Sequence, residues 1–179
     1  MVEDRIGYRY AKSVYSLADE RKETEAVRDD MQLITDTVSQ SRDLLILLQS
    51  PLVATSKKQA IISAVFGKEL KTEVVKNLLE IVTRKGREQF IPNIASAFLA
   101  LYDQEHKILR GMLTSATDMD DTVIAEIKKI MEERSGQTLE IEHAIDEDLI
   151  GGFTLKVGDN LFDGSIAGSI RRARREFIK

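Results

Sequence analysis

Apolar residues recur every three or four positions along the first part of the chain, from Arg5 to about Arg110. This spacing places them on one side of a helix and is typical of amphipathic helices. The pattern predicts that the last helix of this part ends near Gly111. A helix is predicted in each of six segments: Ile6–Ala18, Val27–Val38, Leu44–Leu48, Ser56–Phe66, Val74–Val82 and a long sixth helix that starts at Pro92 and has its last apolar residue at Tyr102, before the break at Gly111.

Local signals indicate where some of these helices begin and which sides they bury. Ser56 and Gln59 have the spacing of a capping box, which predicts a helix start. Pro92 fits the first turn of a helix, where its missing N–H is not needed. The run Leu44–Leu48 is apolar all round, so this short helix is predicted to be buried on most sides.

Beyond these helices the pattern changes. Met112–Thr117 is a predicted strand, and Leu139–His143 alternates apolar residues with glutamates, as a half-exposed strand does. Between them, Ile124–Met131 has helical spacing. The predicted fold class is α+β: a six-helix bundle over residues 1–108, followed by a small mixed α/β domain over residues 109–179.

The stretch from Gly151 to Ile166 alternates strand and turn signals. Its glycines favour turns because they adopt positive φ without strain, and Asp163 or Ser165 is predicted to cap the helix that follows. The predicted order is strand Phe153–Val157, turn Gly158-Asp159-Asn160, short strand Leu161-Phe162, turn Asp163-Gly164-Ser165, and a helix with the apolar stripe Ile166, Ile170, Ala173 and Phe177.

Composition narrows the class of protein. The 179 residues are 42% hydrophobic and 31% charged, which suits a soluble chain with a buried core. There is no cysteine, which excludes disulfides, thiolate metal sites and a cysteine nucleophile. The charged N-terminus predicts no secretory signal, and Leu44–Leu48 is too short an apolar run to span a bilayer. We therefore expect any membrane association to go through a partner.

Few residues are candidates for catalysis. His106 and His143 lack the spacing of a metal motif, and the structural interpretation of both is favoured. Asp159 and Asp163 are four residues apart, but their glycine and asparagine neighbours favour turn and capping roles over an acid–base pair. Phosphate-binding glycine loops and serine nucleophile elbows are absent from the sequence.

Charge is distributed unevenly. Between Asp118 and Asp148 eleven acids face three bases, whereas the last nine residues carry four arginines and a lysine against Glu176. Three interpretations of this basic C-terminal helix stay open: a solvated face, a surface for nucleic acid or anionic lipid, and a docking surface for an acidic partner. The net charge of −4 argues against nucleic acid as the main partner.

Two predicted helices have more apolar surface than one buried side needs. On the first helix, tyrosines lie around a predicted core stripe, and the fifth helix has two adjacent apolar stripes. The surplus either forms a groove for a partner helix or marks central helices of the bundle, and both interpretations stay open. The residues concerned are Ile6, Tyr8, Tyr10, Val14, Tyr15 and Leu17 on the first helix and Val74, Val75, Leu78, Leu79 and Val82 on the fifth.

The Gly151–Ile166 stretch with its terminal helix, the early Arg9-Tyr10-Ala11 and the length of the chain resemble the δ subunits of bacterial F-type ATP synthases, the counterparts of mitochondrial OSCP. The resemblance covers the whole chain. It implies a non-catalytic stator subunit, without cofactor or metal, that links the catalytic head to the peripheral stalk during proton-driven ATP synthesis. It also implies a peripheral position at the cytoplasmic face of the cell membrane, held there through the complex.

The resemblance also implies partners. The bundle would bind N-terminal segments of α subunits in a groove between its first and fifth helices, and the C-terminal domain would bind the ends of b subunits. On the bundle, the implied residues are Tyr10, Val14, Leu17, Val75, Leu78, Leu79 and Val82. In the C-terminal domain, they are Gly151, Gly152, Phe153, Val157, Gly158, Asp159, Asp163, Gly164, Ser165 and Ile166.

One departure from the family concerns the last helix, which is often leucine-rich there. Here it carries Arg171-Arg172-Ala173-Arg174-Arg175 between Ile170 and Phe177. The added charge suggests an acidic or mixed counter-surface. The alternative function is a free-standing adaptor that binds nucleic acid or an acidic partner through this helix, and an enzyme using Asp159 and Asp163 is a third class.

Overall fold

The computed structural model describes residues 2–146, 149, 151–158 and 160–177, with side chains for all of these except 2–4, 171–173 and 175–177. The chain divides into two compact units, Met1–Glu105 and His106–Lys179. The first is helical and the second combines helices with a sheet, which confirms the predicted α+β class.

Six helices form the first unit, as the hydrophobic spacing predicted. A short 3₁₀ turn, Glu88–Phe90, leads into the last of them. The helix that was predicted to reach Gly111 is shorter, because Lys107 takes a left-handed conformation with φ of 53° and the chain then enters a strand. The helices are α1 Val2–Arg21, α2 Thr24–Gln40, α3 Arg42–Gln49, α4 Thr55–Phe66, α5 Glu73–Arg84 and α6 Ile91–Glu105.

Small residues on α1 allow it to pack closely against α6. A Cβ atom added at Gly7 would lie 3.0 Å from the carbonyl oxygen of Asn93, and Ala11 and Ala18 are fully buried. The predicted core stripe of Ile6, Val14 and Leu17 was therefore wrong except for Val14. The side of α1 that faces the core carries its smallest side chains, and hydrophobicity alone does not reveal that side.

Helix α5 is central in the bundle. Its two apolar stripes are both buried, so the surplus apolar width that the sequence indicated is used inside this unit. The buried apolar side chains are Val74, Val75, Leu78, Leu79 and Val82.

Two local expectations for α3 and α4 were wrong. In α3, Leu44 and Leu48 are buried but Ile46 is exposed. This helix therefore covers one side of the core, whereas burial on most sides was predicted. Helix α4 begins at Thr55, and its N-cap residue Ala54 makes no side-chain hydrogen bond. The capping box at Ser56 and Gln59 does not form, because the helix has already begun.

A buried carboxylate joins α2 to the start of α5. The side chain of Asp30 is 1% exposed and accepts hydrogen bonds from the backbone N–H of Lys71 at 2.9 Å and of Thr72 at 2.8 Å. The Thr72 hydroxyl donates to the same carboxylate at 2.6 Å. The negative charge lies at the N-terminus of α5, where the helix dipole stabilises it.

A buried ion pair joins three other elements. Lys58 of α4 contacts Glu88 with an Nζ–Oε1 distance of 2.5 Å, and both side chains are buried. The same ammonium group donates to the carbonyl of Leu48, at the end of α3, at 3.0 Å. Because a buried charge is costly without partners, these contacts favour one arrangement of α3, α4 and the 3₁₀ turn.

The second unit is a four-stranded sheet covered on one face by a helix. The strand order is β2-β1-β3-β4, with β1 and β2 parallel and the other neighbours antiparallel. Strand β1 begins at Ile108 and ends at Ser115, earlier than predicted. The elements are β1 Ile108–Ser115, α7 Asp121–Ser135, β2 Thr138–Ile145, β3 Phe153–Val157, β4 Asn160–Asp163 and α8 Ile166–Phe177.

Helix α7 crosses over between the two parallel strands and packs on the sheet. The core of this unit consists of buried strand residues with half-buried residues of α7 against them: Leu113, Leu139, Leu155 and Val157 with Ile124, Ile127 and Met131. Asp120 caps the start of α7, since its side chain accepts a hydrogen bond from the backbone N–H of Thr122 at 2.9 Å. Hydrogen bonds from Thr122 to this carboxylate lower the pKa of Asp120.

Replacing Asp30 tests whether its carboxylate fixes the start of α5. We expect Asp30→Ala to lower the free energy of unfolding of the bundle by about 3 kcal/mol, because two buried backbone N–H groups lose their acceptor. All four tyrosines lie in the first unit, so tyrosine fluorescence during urea unfolding reports on the bundle. The control is Asp29→Ala, at an exposed neighbouring position, and an equal effect of both substitutions would contradict this role.

Candidate partner-binding surfaces

The structure places the predicted groove residues of α1 and α5 in two groups. The four from α5 are all buried, as is Val14 of α1. Tyr10 is half-buried, and Leu17 is 38% exposed. Within the isolated chain, a partner can therefore touch Tyr10 and Leu17 directly, whereas the buried residues support the surface from below.

Sequence reasoning missed one accessible apolar residue of α5. Ile81 is 39% exposed, although every other large apolar side chain of this helix is buried. It follows Leu78 by three residues and Val74 by seven, at the edge of that apolar stripe, so its spacing does not distinguish it from the buried residues. Helices α1 and α5 contact each other, so Leu17 and Ile81 are candidates for one apolar surface.

Two tyrosines of α1 differ in their surroundings. The Arg87 guanidinium donates from Nη1 to the Tyr10 hydroxyl at 3.1 Å and holds it at the end of α5. Tyr15 instead packs against Phe98 of α6, with ring centroids 5.9 Å apart. Burial, with smaller contributions from the carboxylates of Glu105 and Asp19, raises the pKa of Tyr15, so this hydroxyl stays neutral under ordinary conditions.

In the second unit, the glycine-rich stretch holds the start of α8 on the sheet. Gly152 has φ of 80°, and a Cβ atom there would lie 2.5 Å from the carbonyl oxygen of Gly164. The backbone N–H of Ile166 donates to Gly151 at 3.0 Å, and that of Gly164 donates to Phe153 at 2.9 Å. A larger residue at position 152 would separate these two segments.

The predicted cap of the last helix is confirmed. The Ser165 hydroxyl oxygen accepts a hydrogen bond from the backbone N–H of Gly168 at 3.0 Å. Asp163 accepts from the Ser165 backbone N–H at 2.9 Å and from its hydroxyl at 2.5 Å. The Asp163 carboxylate is thus used in a structural turn, while Asp159, its imagined catalytic partner, lies outside the described residues.

Helix α8 exposes the apolar side chains at its start. Ile166 is 50% exposed and Ile170 is 63% exposed, and they lie one turn apart on the predicted stripe. The side chains of Ala173 and Phe177, which continue the stripe, lie outside the described residues. Phe162, at the edge strand β4, is a further exposed aromatic residue of this unit.

A serine–histidine contact in the second unit looks like part of a catalytic site. Ser115 Oγ lies 2.7 Å from His143 Nε2 and also donates to the carbonyl of Thr117 at 2.6 Å. A hydroxyl has one proton, and Ser115 donates it to the Thr117 carbonyl. The histidine must therefore be the donor in its hydrogen bond with the serine. In this arrangement the imidazole cannot take a proton from Ser115, and the contact orders the turn after β1.

His106 follows the end of α6 and is not helical, contrary to expectation. Within the described residues, no group of three or more histidine and acidic side chains is arranged to hold a metal ion. In that same part of the chain, every helix is too short or too polar to cross a membrane. Of the arginines in the basic helix, the side chain of Arg174 is described and exposed.

Comparisons with known proteins agree with one another. The family model "ATP synthase delta (OSCP) subunit" matches residues 6–177. A protein named ATP synthase subunit delta from Christiangramia forsetii is 34% identical over 172 residues, covering 96% of this chain and 92% of its own. A protein of the same name from Lactobacillus gasseri is 30% identical, and the match covers 98% of this chain and 96% of that protein. A chain of the Toxoplasma gondii mitochondrial ATP synthase hexamer has the same fold, with a TM-score of 0.71, 20% identity and 97% coverage of both chains.

Two alanine substitutions separate close packing from backbone strain in the glycine-rich stretch. We expect Gly152→Ala to lower the local stability of the second unit by about 3 kcal/mol, because the added methyl group meets the Gly164 carbonyl. Gly158→Ala is the control: its φ of 55° is also positive but its surroundings are open, so about 1 kcal/mol is expected. Hydrogen exchange at the buried strand amides of Leu113 and Leu155 measures the local stability of both variants. Equal losses of stability in the two variants would contradict the packing role of Gly152.

Proposed function

The chain belongs to the ATP synthase delta (OSCP) subunit family, and from this we propose that it is the stator subunit that ties the catalytic head of an F-type ATP synthase to the peripheral stalk. One observation carries the proposal: the family match runs from residue 6 to residue 177 and so includes both compact units. A linking protein needs two units that bind different partners.

The role of the subunit is mechanical. During proton-driven ATP synthesis the rotor exerts torque on the catalytic head, and the head must not turn with it. A subunit that binds the head with one unit and the stalk with the other transmits the reaction torque to the membrane-anchored stalk. The rotor then changes the conformation of the catalytic sites and does not spin the whole head.

The bundle binds N-terminal segments of α subunits as amphipathic helices. The accessible side chains of Tyr10, Leu17 and Ile81, above the buried apolar residues of α5, support this assignment. Docking of a helix on a helical surface buries apolar area along several turns, which gives a stable contact without covalent attachment. The α1–α5 surface is the part of the bundle proposed for this contact.

The second unit binds the ends of the b subunits. The exposed side chains of Ile166, Ile170 and Phe162 support this assignment, because they are large apolar groups on one small unit. The glycine-rich stretch has a supporting role, since its close contacts hold the first turn of α8 on the sheet. The arginines that follow favour acidic residues on the partner.

The subunit performs no reaction of its own and uses no cofactor. The carboxylate of Asp163 and the hydroxyl of Ser115 are both engaged in structural hydrogen bonds, which supports this view. The subunit is attached to the cytoplasmic face of the membrane through its partners. The alternative of a free-standing adaptor for nucleic acid receives no support from the family or from its relatives.

Acidic substitutions on the bundle test the contact with the head. We expect Leu17→Asp combined with Ile81→Asp to weaken binding of the isolated head by about 2 kcal/mol or more, because a charge would be buried without a partner. Both positions are over a third exposed, so the bundle should stay folded. Leu78→Asp is a poorer test, because Leu78 is buried and its loss would disturb the core. Calorimetric titration with the head measures the change.

The control is Ile46→Asp, at an exposed isoleucine on α3. Its binding to the head should equal that of the unmodified chain. Unchanged affinity of the double variant would remove the α1–α5 surface from the proposal.

An acidic substitution on α8 tests the contact with the stalk. We expect Ile170→Asp to abolish capture of the b subunits in a reconstitution from separate components, while binding to the head is retained. Ile130→Asp, at an exposed isoleucine of α7, is the matched control. If the Ile170 variant no longer bound the head but still captured the b subunits, the assignment of the two units would be reversed.

A further inference from the structure

A groove with a basic rim runs along the first half of α1, with a volume of about 700 Å³. We call it the basic groove. Apolar and aromatic side chains line part of it: Ile6, Tyr8 and Tyr10. The remaining lining side chains, within the described part of the chain, are all cationic: Arg5, Arg9, Lys12 and Arg87. This concentration of positive charge contrasts with the net charge of −4 of the whole chain.

Three of the cations form one stripe on α1. Arg5, Arg9 and Lys12 follow at spacings of four and three residues, which places them above one another on the helix surface. With a rise of about 1.5 Å per residue, they are about 6 Å and about 4.5 Å apart along the axis. Arg87 joins them from the segment after α5, where its hydrogen bond to Tyr10 holds it.

The three cations on α1 have no carboxylate partner among the described side chains. Like charges at three- and four-residue spacing destabilise an isolated helix, so the free protein is less stable because of this stripe. A surface that carries such a cost next to accessible apolar side chains is suited to a ligand that neutralises the charge and covers these side chains.

We propose that the basic groove binds an acidic amphipathic helix, whose carboxylates follow at spacings of four and three residues beside an apolar stripe. The carboxylates meet Arg5, Arg9 and Lys12, and the apolar stripe covers Ile6 and Tyr10, which lie one turn apart on one side of the cations. This inference rests on the proposed function, since the segment that supplies this helix is the N-terminal segment of an α subunit. It adds the charge pattern that the segment must carry.

Nucleic acid fits the groove less well than an acidic helix. The cationic stripe ends after about two helical turns, whereas a nucleic acid backbone continues past it. Outside the groove, the acidic chain repels a polyanion. A short amphipathic helix has its charge confined to one side and meets this limited surface without further repulsion.

The test neutralises the stripe in the full chain, by the combined substitutions Arg5→Gln, Arg9→Gln and Lys12→Gln. The control removes the same charge elsewhere on the bundle, through Arg42→Gln, Lys57→Gln and Lys68→Gln, all at exposed positions. The probe is the isolated head from the same source. At about 50 mM salt, where screening is weak, we expect the Kd of the stripe variant to rise about tenfold through a slower association. The control should bind like the unmodified chain.

Salt provides a second measure. At about 1 M salt the Debye length falls to about 3 Å, so the difference between the stripe variant and the unmodified chain should disappear. If both bind the head equally at low salt, this inference is wrong while the proposed function stands. If the unmodified chain does not bind the head at all, the proposed function fails and this inference with it. Stripe-dependent binding to a single-stranded oligonucleotide or to anionic vesicles, with head binding unchanged, would assign the groove to a different ligand.

Discussion

The close packing of α1 against α6 determines which side chains the bundle leaves accessible. Gly7, Ala11 and Ala18 occupy the contact because larger side chains would hold the two helices apart. Leu17, by contrast, is a large side chain of α1 that stays exposed. Since the apolar stripes of α5 are buried as well, the surface available to a partner is set mainly by α1. The proposed contact with the head depends on this division of α1 into a small-residue side and a large-residue side.

Buried polar groups then fix the positions of the helix ends, which hydrophobic packing alone leaves adjustable. Asp30 holds the start of α5 to α2, and Lys58 holds the end of α3 and the 3₁₀ turn to α4. Hydrogen bonds depend on direction, so sliding of one helix along another breaks them, whereas apolar contacts are partly recovered after a shift. For a protein that transmits force between partners, such contacts resist shear within the bundle.

Much of this architecture follows from the sequence because long helices and the turn-rich stretch leave strong periodic signals. The predictions that were wrong have a common physical origin. Hydrophobic spacing marks apolar side chains but does not register that Gly7 and Ala11 allow close packing, so the core side of α1 was misplaced. It also does not tell whether an apolar residue is covered: Ile46, inside the apolar run of α3, is exposed, while Leu78 is buried. Spatial contacts across the fold, such as that of Ser115 with His143, leave no local pattern.

The glycine-rich stretch illustrates how a sequence signature can support the proposed partner surface on α8 by fixing the backbone beneath it. Gly152 permits the Gly164–Ser165 turn to lie directly against the backbone, and the first turn of α8 follows from that turn. The bond from the Ile166 N–H to the Gly151 carbonyl then connects α8 to the loop that enters β3. A force applied to exposed Ile170 passes along the helix backbone and through this bond and the Ser165 cap into the sheet. Backbone hydrogen bonds yield less under force than long flexible side chains do. This route therefore suits the rigid connection that the proposed contact with the stalk requires.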